Sequence, residues 1–170
     1  MPIRTKFCEE EVRRLLREMD VAAPPVDVHA IAEGLLLDVV EKRSWRWRSR
    51  SLLRRDISQI WVNAEESPRG KRFSVGHEIG HHVLHADGLV FSEHADPESA
   101  DYAVDPDRAL ESEADYFSSV LLVPPDWLRQ DVADGRTVDE LVDRYDVSRE
   151  VLFIALEQHR LLNKVTTRRN

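Results

Sequence analysis

The 170-residue chain has a single cysteine, Cys8. An internal disulfide and a Cys-x-x-Cys zinc knuckle are therefore both excluded. A thiol-poor chain fits a reducing compartment, and the cytoplasm is the expected location. No run approaches the ~20 apolar residues that span a bilayer. The opening stretch "MPIRTKFCEEEVRRLLREMD" carries charges where a signal peptide has its apolar core. Neither secretion nor membrane insertion is expected. Glycine is scarce, at six residues, and there is no internal repeat or low-complexity tract. A net charge of -8 works against long-range attraction to nucleic acid.

What remains is an ordinary globular mix, 42% apolar and 33% charged. A chain of this size buries about 70% of its unfolded surface, enough for one core without staples. Charge is unevenly spread. Lys42 to Arg55 holds seven basic residues and no acid, whereas Glu93 to Asp115 holds nine acids against Arg108 alone. Two solvated faces, or two partner surfaces of opposite sign, would both give this pattern.

Val12, Leu15, Leu16 and Met19 predict a first helix over residues 9–19. Asp27 is placed to cap a short helix that Gly34 would end. "LLLDVVEKR" predicts a strand, "SWRWRSRSLLRR" alternates apolar and basic residues as a second strand would, and "ISQIWVN" predicts a third. A helix runs from about Lys71 through His85. A longer connection follows, with a short strand at "LVFSE", and a second helix runs from Pro106 to Leu122. Pro124-Pro125 stops that helix. Two more helices, 138–145 and 149–162, complete the chain, the first with a Thr137/Glu140 capping box. The fold class expected is α+β, with a sheet of about three strands on two central helices.

Residues 77–85 read "HEIGHHVLH" and contain four of the seven histidines. His77 and His81 stand at i and i+4, about 40° apart around a helix and about 6 Å apart along it, so both imidazoles can reach one ion. Glu78 is displaced by about 100° and can reach a water beside that ion as a general base. Gly80 offers a smooth surface for a neighbouring element. The motif is short, so its context decides: a helix after a strand and a turn is the setting it requires. His85 is rotated by about 80° from His77 and aims past a shared ion; His82 and His85 are expected to pack or to face solvent.

A catalytic zinc needs a third protein ligand. Leu84 and Asp87 occupy the places where a third histidine would extend the motif. A later helix, "ESEADYFSSVLLVPP", supplies Glu111 or Glu113 instead. These lie about 200° apart, so only one can face the ion. Glu111 shares its face with Asp115, which could accept an N–H from a ligating imidazole. Glu113 has no matching acid partner, so Glu111 is preferred.

"KRFSVGHEIGHHVLH" followed by "ESEADYFSSVLLVP" resembles the ImmA/IrrE family of bacterial metallopeptidases. Arg72, Phe73, His77, Glu78, His81, Glu111, Ala114, Asp115, Phe117, Leu121, Leu122 and Pro124 fall on that family's pattern. Asp115 stands where asparagine is commoner, Ser118 where alanine is usual, and Val123 where methionine is. The resemblance implies a minimal gluzincin fold: a metallopeptidase domain over 1–127 and a C-terminal helical extension, 128–170, packed on it. It also implies zinc, with manganese as an alternative in the cell. Its protein substrate would be a Cro-like helix-turn-helix transcriptional repressor, cut in a stress or mobile-element response.

Within this scheme His77, His81 and Glu111 hold the metal, Asp115 orients a ligand and Glu78 is the base. Tyr102, His94 and Tyr116 are candidates to stabilise the oxyanion. The strand from Ser44 to Ser51, with Arg46, Arg48 and Arg50, is a candidate rail for an extended substrate; a charged edge that discourages aggregation has the same look. The rival is a non-cleaving protein- or DNA-binding module, suggested by the helix–turn–helix spacing of residues 140–162. Its many acids and few bases argue against phosphate contact. The pattern leaves the oligomeric state open.

Overall fold

Cys8, Val12, Leu15 and Leu16 recur at helical spacing. A computed structural model of the protein, describing residues 3–43, 50–85 and 108–165, winds them into the buried face of α1 (Thr5–Glu18). Asp27 accepts hydrogen bonds from the backbone N–H groups of His29 and Ala30 and so starts α2 (Val28–Gly34). Gly34 is not the left-handed terminator that its type suggests. It is the last helical residue, and Leu36 takes the positive φ of 60°. A Cβ at position 34 would meet Met19 Sδ at 2.6 Å, so that flexible side chain occupies the space beside the glycine.

Three short strands follow: β1 (Asp38–Lys42), β2 (Ser51–Arg54) and β3 (Gln59–Asn63), in the spatial order β1-β3-β2. β3 pairs parallel with β1, Val40 opposite Trp61, and antiparallel with β2, Leu52 opposite Trp61. The central strand is accordingly the most apolar, with Ile60, Trp61 and Val62 all buried. β2 falls within the expected second strand, in its last residues. Its register with β3 starts at Ser51–Val62, and the Trp/Arg alternation at 44–49 lies outside the described residues. A single 3-10 turn, Arg55–Ile57, and a left-handed Ser58 join β2 to β3.

The first of two long helices lies against this sheet, and the second packs on the first and on α1. Ser67 caps α3 (Pro68–Leu84), and Pro68 occupies its first turn, where a missing N–H costs nothing. That capped start lies upstream of the predicted one. Arg72 ties the helix to its surroundings, donating to the carbonyls of Asp146 and Val26. α4 (Arg108–Leu122) packs on α3 through small residues spaced four apart on each helix. A Cβ on Gly80 would lie 3.2 Å from Ala114 Cα, and one on Gly76 would lie 2.6 Å from Ser118 Oγ. The backbones therefore approach closely just where the histidines project. Ser118 donates to the Phe73 carbonyl at 2.8 Å. Val75, Ile79, Phe117, Leu121 and Ile60 fill the core between these helices and the sheet. The short strand expected at "LVFSE" lies outside the described residues.

The sequence reading missed one helix, α5 (Pro125–Ala133). Pro124-Pro125 ends α4, but the second proline also opens the next helix. Two capped helices follow: α6 (Val138–Tyr145), with the expected Thr137/Glu140 capping box, and α7 (Arg149–Gln158). α7 stops short of residue 162, and Arg160 turns to a φ of 57°. Asp131 of α5 is buried and joins the two helices, accepting from Arg136 Nε, Arg144 Nε and Tyr145 Oη at 2.9, 2.8 and 2.7 Å.

Burial alone would raise the Asp131 pKa, but the tyrosine and the two arginines outweigh it and hold the carboxyl below its ordinary 3.8. The group therefore stabilises the fold above pH 3.8 and loses that contribution as pH falls through the lower folded value. Asp131→Asn should cost about 2 kcal/mol at pH 7 in denaturant unfolding, the scale of hydrogen bonds to a charged group. It should also flatten the acid limb of the stability profile. Equal acid sensitivity in the variant would remove Asp131 as its source.

Candidate metal centre and its base

The histidine run lies on the last turns of α3, and α4 crosses beside it. His77 and His81 present their Nε2 atoms to each other at 3.0 Å. Glu111, from the first turn of α4, places Oε2 3.3 Å from His77 Nε2 and Oε1 3.2 Å from His81 Nε2. Among the described residues this is the group of three ligand-bearing side chains whose donor atoms converge, all within 4.8 Å. Asp115, one turn on from Glu111, has Oδ1 2.9 Å from His77 Nδ1. A carboxylate only accepts, so it holds the proton on Nδ1 and leaves Nε2 bare toward Glu111.

Bare imidazole nitrogens this close, flanked by carboxylate oxygens, need a positive charge between them: a proton or a cation. Burial works against charge on His77. Hydrogen bonds with Asp115 and Glu111, together with the charge of Glu78, outweigh it and push the imidazole up to about 10. The same contacts, from His77 and then His81, hold Glu111 well below the usual carboxylate range.

Glu78 is 5% exposed. Its Oε1 accepts from Ser51 Oγ at 2.7 Å, across from β2. One carboxylate oxygen is thus fixed and the other is left without a hydrogen bond from the described residues. Arg55, just beyond β2, donates from Nη2 to the His81 carbonyl at 2.7 Å. Burial lowers its pKa while the charge of Glu78 opposes that, so a half-buried cation stands near the base. β2 therefore runs beside the turn of α3 that bears the motif.

Glu113 faces away from the triad, as its helical phase requires. It receives Arg4 from the backbone N–H and from the guanidinium, at 2.9 and 2.6 Å, and its Oε2 lies 3.2 Å from His85 Nε2. Arg4, before any other cause, pulls Glu113 down to about 2. His85 is buried, not at the surface, and its Nδ1 lies 3.1 Å from His81 Nδ1. Burial lowers the His85 pKa, with Glu113 opposing. His82 has a buried Nδ1 with no hydrogen-bond partner among the described residues, and burial followed by the charge of Arg55 lowers its pKa.

Of the other candidates, Tyr116 is not brought to this cluster: its hydroxyl donates to Glu9 of α1 at 2.9 Å. It lies about 140° around α4 from Glu111, which accounts for this. Arg50 is exposed and pairs loosely with Glu66 at 3.8 Å. Arg46, Arg48, His94 and Tyr102 lie outside the described residues. Sequence reasoning missed Ser51, Arg55 and the joint role of His85 and Glu113. The period-2 pattern of β2 and the offset Glu111/Glu113 pair were the available signals for Ser51 and Glu113; Arg55 had none beyond the basic run.

Among solved structures, a Mycobacterium tuberculosis transcriptional regulator is similar in fold, with a TM-score of 0.62 at 17% identity. The similarity covers 86% of this chain and 45% of that one, so the chain spans less than half the length of that protein. No match is found among the curated proteins. Residues 35–157, which contain the whole His77/His81/Glu111 cluster, match the IrrE N-terminal-like domain of the peptidase M78 family, and the protein belongs to that family.

Proposed function

We propose that the protein is a zinc-dependent endopeptidase acting on another protein, a helix-turn-helix transcriptional repressor of the Cro-like class. Membership of a peptidase family supports the metallopeptidase-like role. The observation that carries the proposal is Glu78, buried, oriented by Ser51 and one residue from a three-donor cluster. A purely structural metal site has no use for such a base.

The donor set fits zinc. Ligands about 2.0–2.1 Å from a tetrahedral ion stand about 3.3 Å apart, close to the 3.0, 3.2 and 3.3 Å separations among His77, His81 and Glu111. Two imidazoles and one carboxylate are also a common catalytic set, leaving one position for water. Manganese is acceptable to the same donors when it is more available. When bound, the ion supplies Lewis acidity that brings a water's pKa toward ~7 and polarises a carbonyl.

The chain's own residues do the rest. Glu78 takes the proton of the attacking water at Oε2, since Oε1 is occupied by Ser51, and delivers it to the departing amine. Asp115 keeps His77 in the ligating tautomer. Arg55 opposes the build-up of negative charge near Glu78. β2 pairs with β3 on one side only among the described residues, and Ser51 and Arg55 bracket the motif. An extended substrate laid beside Ser51 and Arg55 would pass the base.

The exposed face of α7 carries Glu150, Phe153, Ile154 and Glu157, which suits a protein surface better than phosphates. Among the described residues no helix is long and apolar enough to cross a membrane.

The test is to incubate the zinc-loaded protein with Cro-like helix-turn-helix repressors from the same cell and follow the products by mass spectrometry. A single cut that a chelator abolishes and zinc restores is the expected outcome. An intact repressor after saturating enzyme and metal would sink the substrate assignment.

A further inference from the structure

Four side chains from three elements form one hydrogen-bonded line that ends on a proposed ligand: Arg4, Glu113, His85 and His81. Its direction follows from chemistry alone. Arg4 grips Glu113 from its backbone N–H, Nε and Nη2, so Glu113 is a carboxylate that can only accept. His85 must therefore carry its proton on Nε2, 3.2 Å from Glu113 Oε2. A neutral His85 is then bare at Nδ1. That bare nitrogen lies 3.1 Å from His81 Nδ1, so His81 must be the donor there. With its proton on Nδ1, His81 presents a bare Nε2 to Glu111 and His77.

We infer that Arg4, Glu113 and His85 are positioning residues for the metal centre, selecting the ligating tautomer of His81 through an intervening imidazole. This rests on His81 being a metal ligand, as proposed above. The two histidines of the motif are thus prepared differently. His77 is fixed directly by Asp115, which is exposed at the surface. His81 is fixed through a buried histidine whose own tautomer is set by a carboxylate, itself anchored at the head of α1. The line also gives Glu113 a function that its offset from Glu111 otherwise leaves unexplained. Arg4 connects the N-terminal helix to the site, although among the described residues it hydrogen-bonds to no proposed metal ligand.

The experiment uses the full chain labelled with 15N at histidine. In the wild-type protein, two-bond proton–nitrogen spectra should show His85 protonated at Nε2 and His81 at Nδ1. His85 protonated at Nδ1 would overturn the inference outright. Cobalt titration, read by its visible absorption, then measures affinity. His85→Ala and Glu113→Gln should each weaken cobalt binding by about 10–100-fold, the range for partners of ligating histidines. His85→Gln, which can accept and donate at once, should recover part of the loss.

Because His85 and Glu113 are buried, Arg4→Ala provides a variant altered at a half-exposed position. It should weaken cobalt binding several-fold and move the His85 nitrogen shifts. Wild-type cobalt affinity in folded His85→Ala, or in Arg4→Ala with unmoved shifts, would overturn the inference. Failure of the wild-type chain to bind cobalt would count instead against the metal site itself, and the tautomer spectra would still test the line.

Discussion

Glu78→Gln should leave a folded, metal-binding protein that has lost about 10²–10⁴-fold in turnover, the range for a general base. A thousandfold loss corresponds to about 4 kcal/mol of transition-state stabilisation. The substitution isolates the proton-transfer role for structural reasons. Glutamine has the same shape, and its carbonyl oxygen can still accept from Ser51 Oγ, the contact now made at 2.7 Å. The side chain is 5% exposed, so exchanging a charge for a neutral amide also removes a buried charge and should not destabilise the fold. His77, His81 and Glu111 are untouched, so metal content should stay near stoichiometric. Affinity should fall only a few-fold, because Glu78 contributes charge to the site without belonging to the converging donors. Loss of activity together with metal would mean that Glu78 acts as a ligand. Full turnover with metal retained would remove it from the chemistry.

The parts of the site legible in the sequence are those set by a single helix. H-E-x-x-H brings His77 and His81 to one side of α3 because 3.6 residues per turn allows nothing else, and Glu111 lines up with Asp115 on α4 by the same rule. The strands and most helices were readable for a similar reason: apolar spacing is local, and caps such as Asp27 and Thr137 announce themselves. What escaped depends on two elements meeting. His85 does aim past His77 and Glu111, as its phase predicts, but it lands on the far nitrogen of His81 and on a carboxylate from another helix. No spacing rule contains that contact. Ser51 reaches Glu78 because α3 packs against β2, a meeting of two elements that no local pattern states. α5 escaped because a proline that ends one helix is also well suited to open another, and Pro124-Pro125 does both.

Glu111→Ala should abolish metal-dependent stabilisation while sparing the apo fold. Glu113→Ala should do nearly the reverse. A metal that binds only the folded chain stabilises it by RT ln(1 + [L]/Kd), about 4.1 kcal/mol at a thousandfold excess over Kd. For a protein of 150–250 residues each kcal/mol moves Tm by roughly 2–4 °C. Zinc should therefore raise the wild-type Tm by about 8–16 °C at that excess, and a chelator should take the gain away. Glu111 supplies the oxygens 3.3 and 3.2 Å from the two Nε2 atoms, and without them the ion would have two nitrogens and water. Its affinity should fall by more than the 10–100-fold that outlying partners cost. Glu111 is also partly exposed, so its loss leaves no cavity in the core. Glu113 is buried between Arg4 and His85. Removing it strands a guanidinium and an imidazole, so the apo protein should lose stability while the three converging donors survive. Metal should still raise the Tm of Glu113→Ala, from a lower starting point and at higher concentration. If Glu111→Ala kept the full metal-induced shift and Glu113→Ala lost it, the third ligand would be the other glutamate.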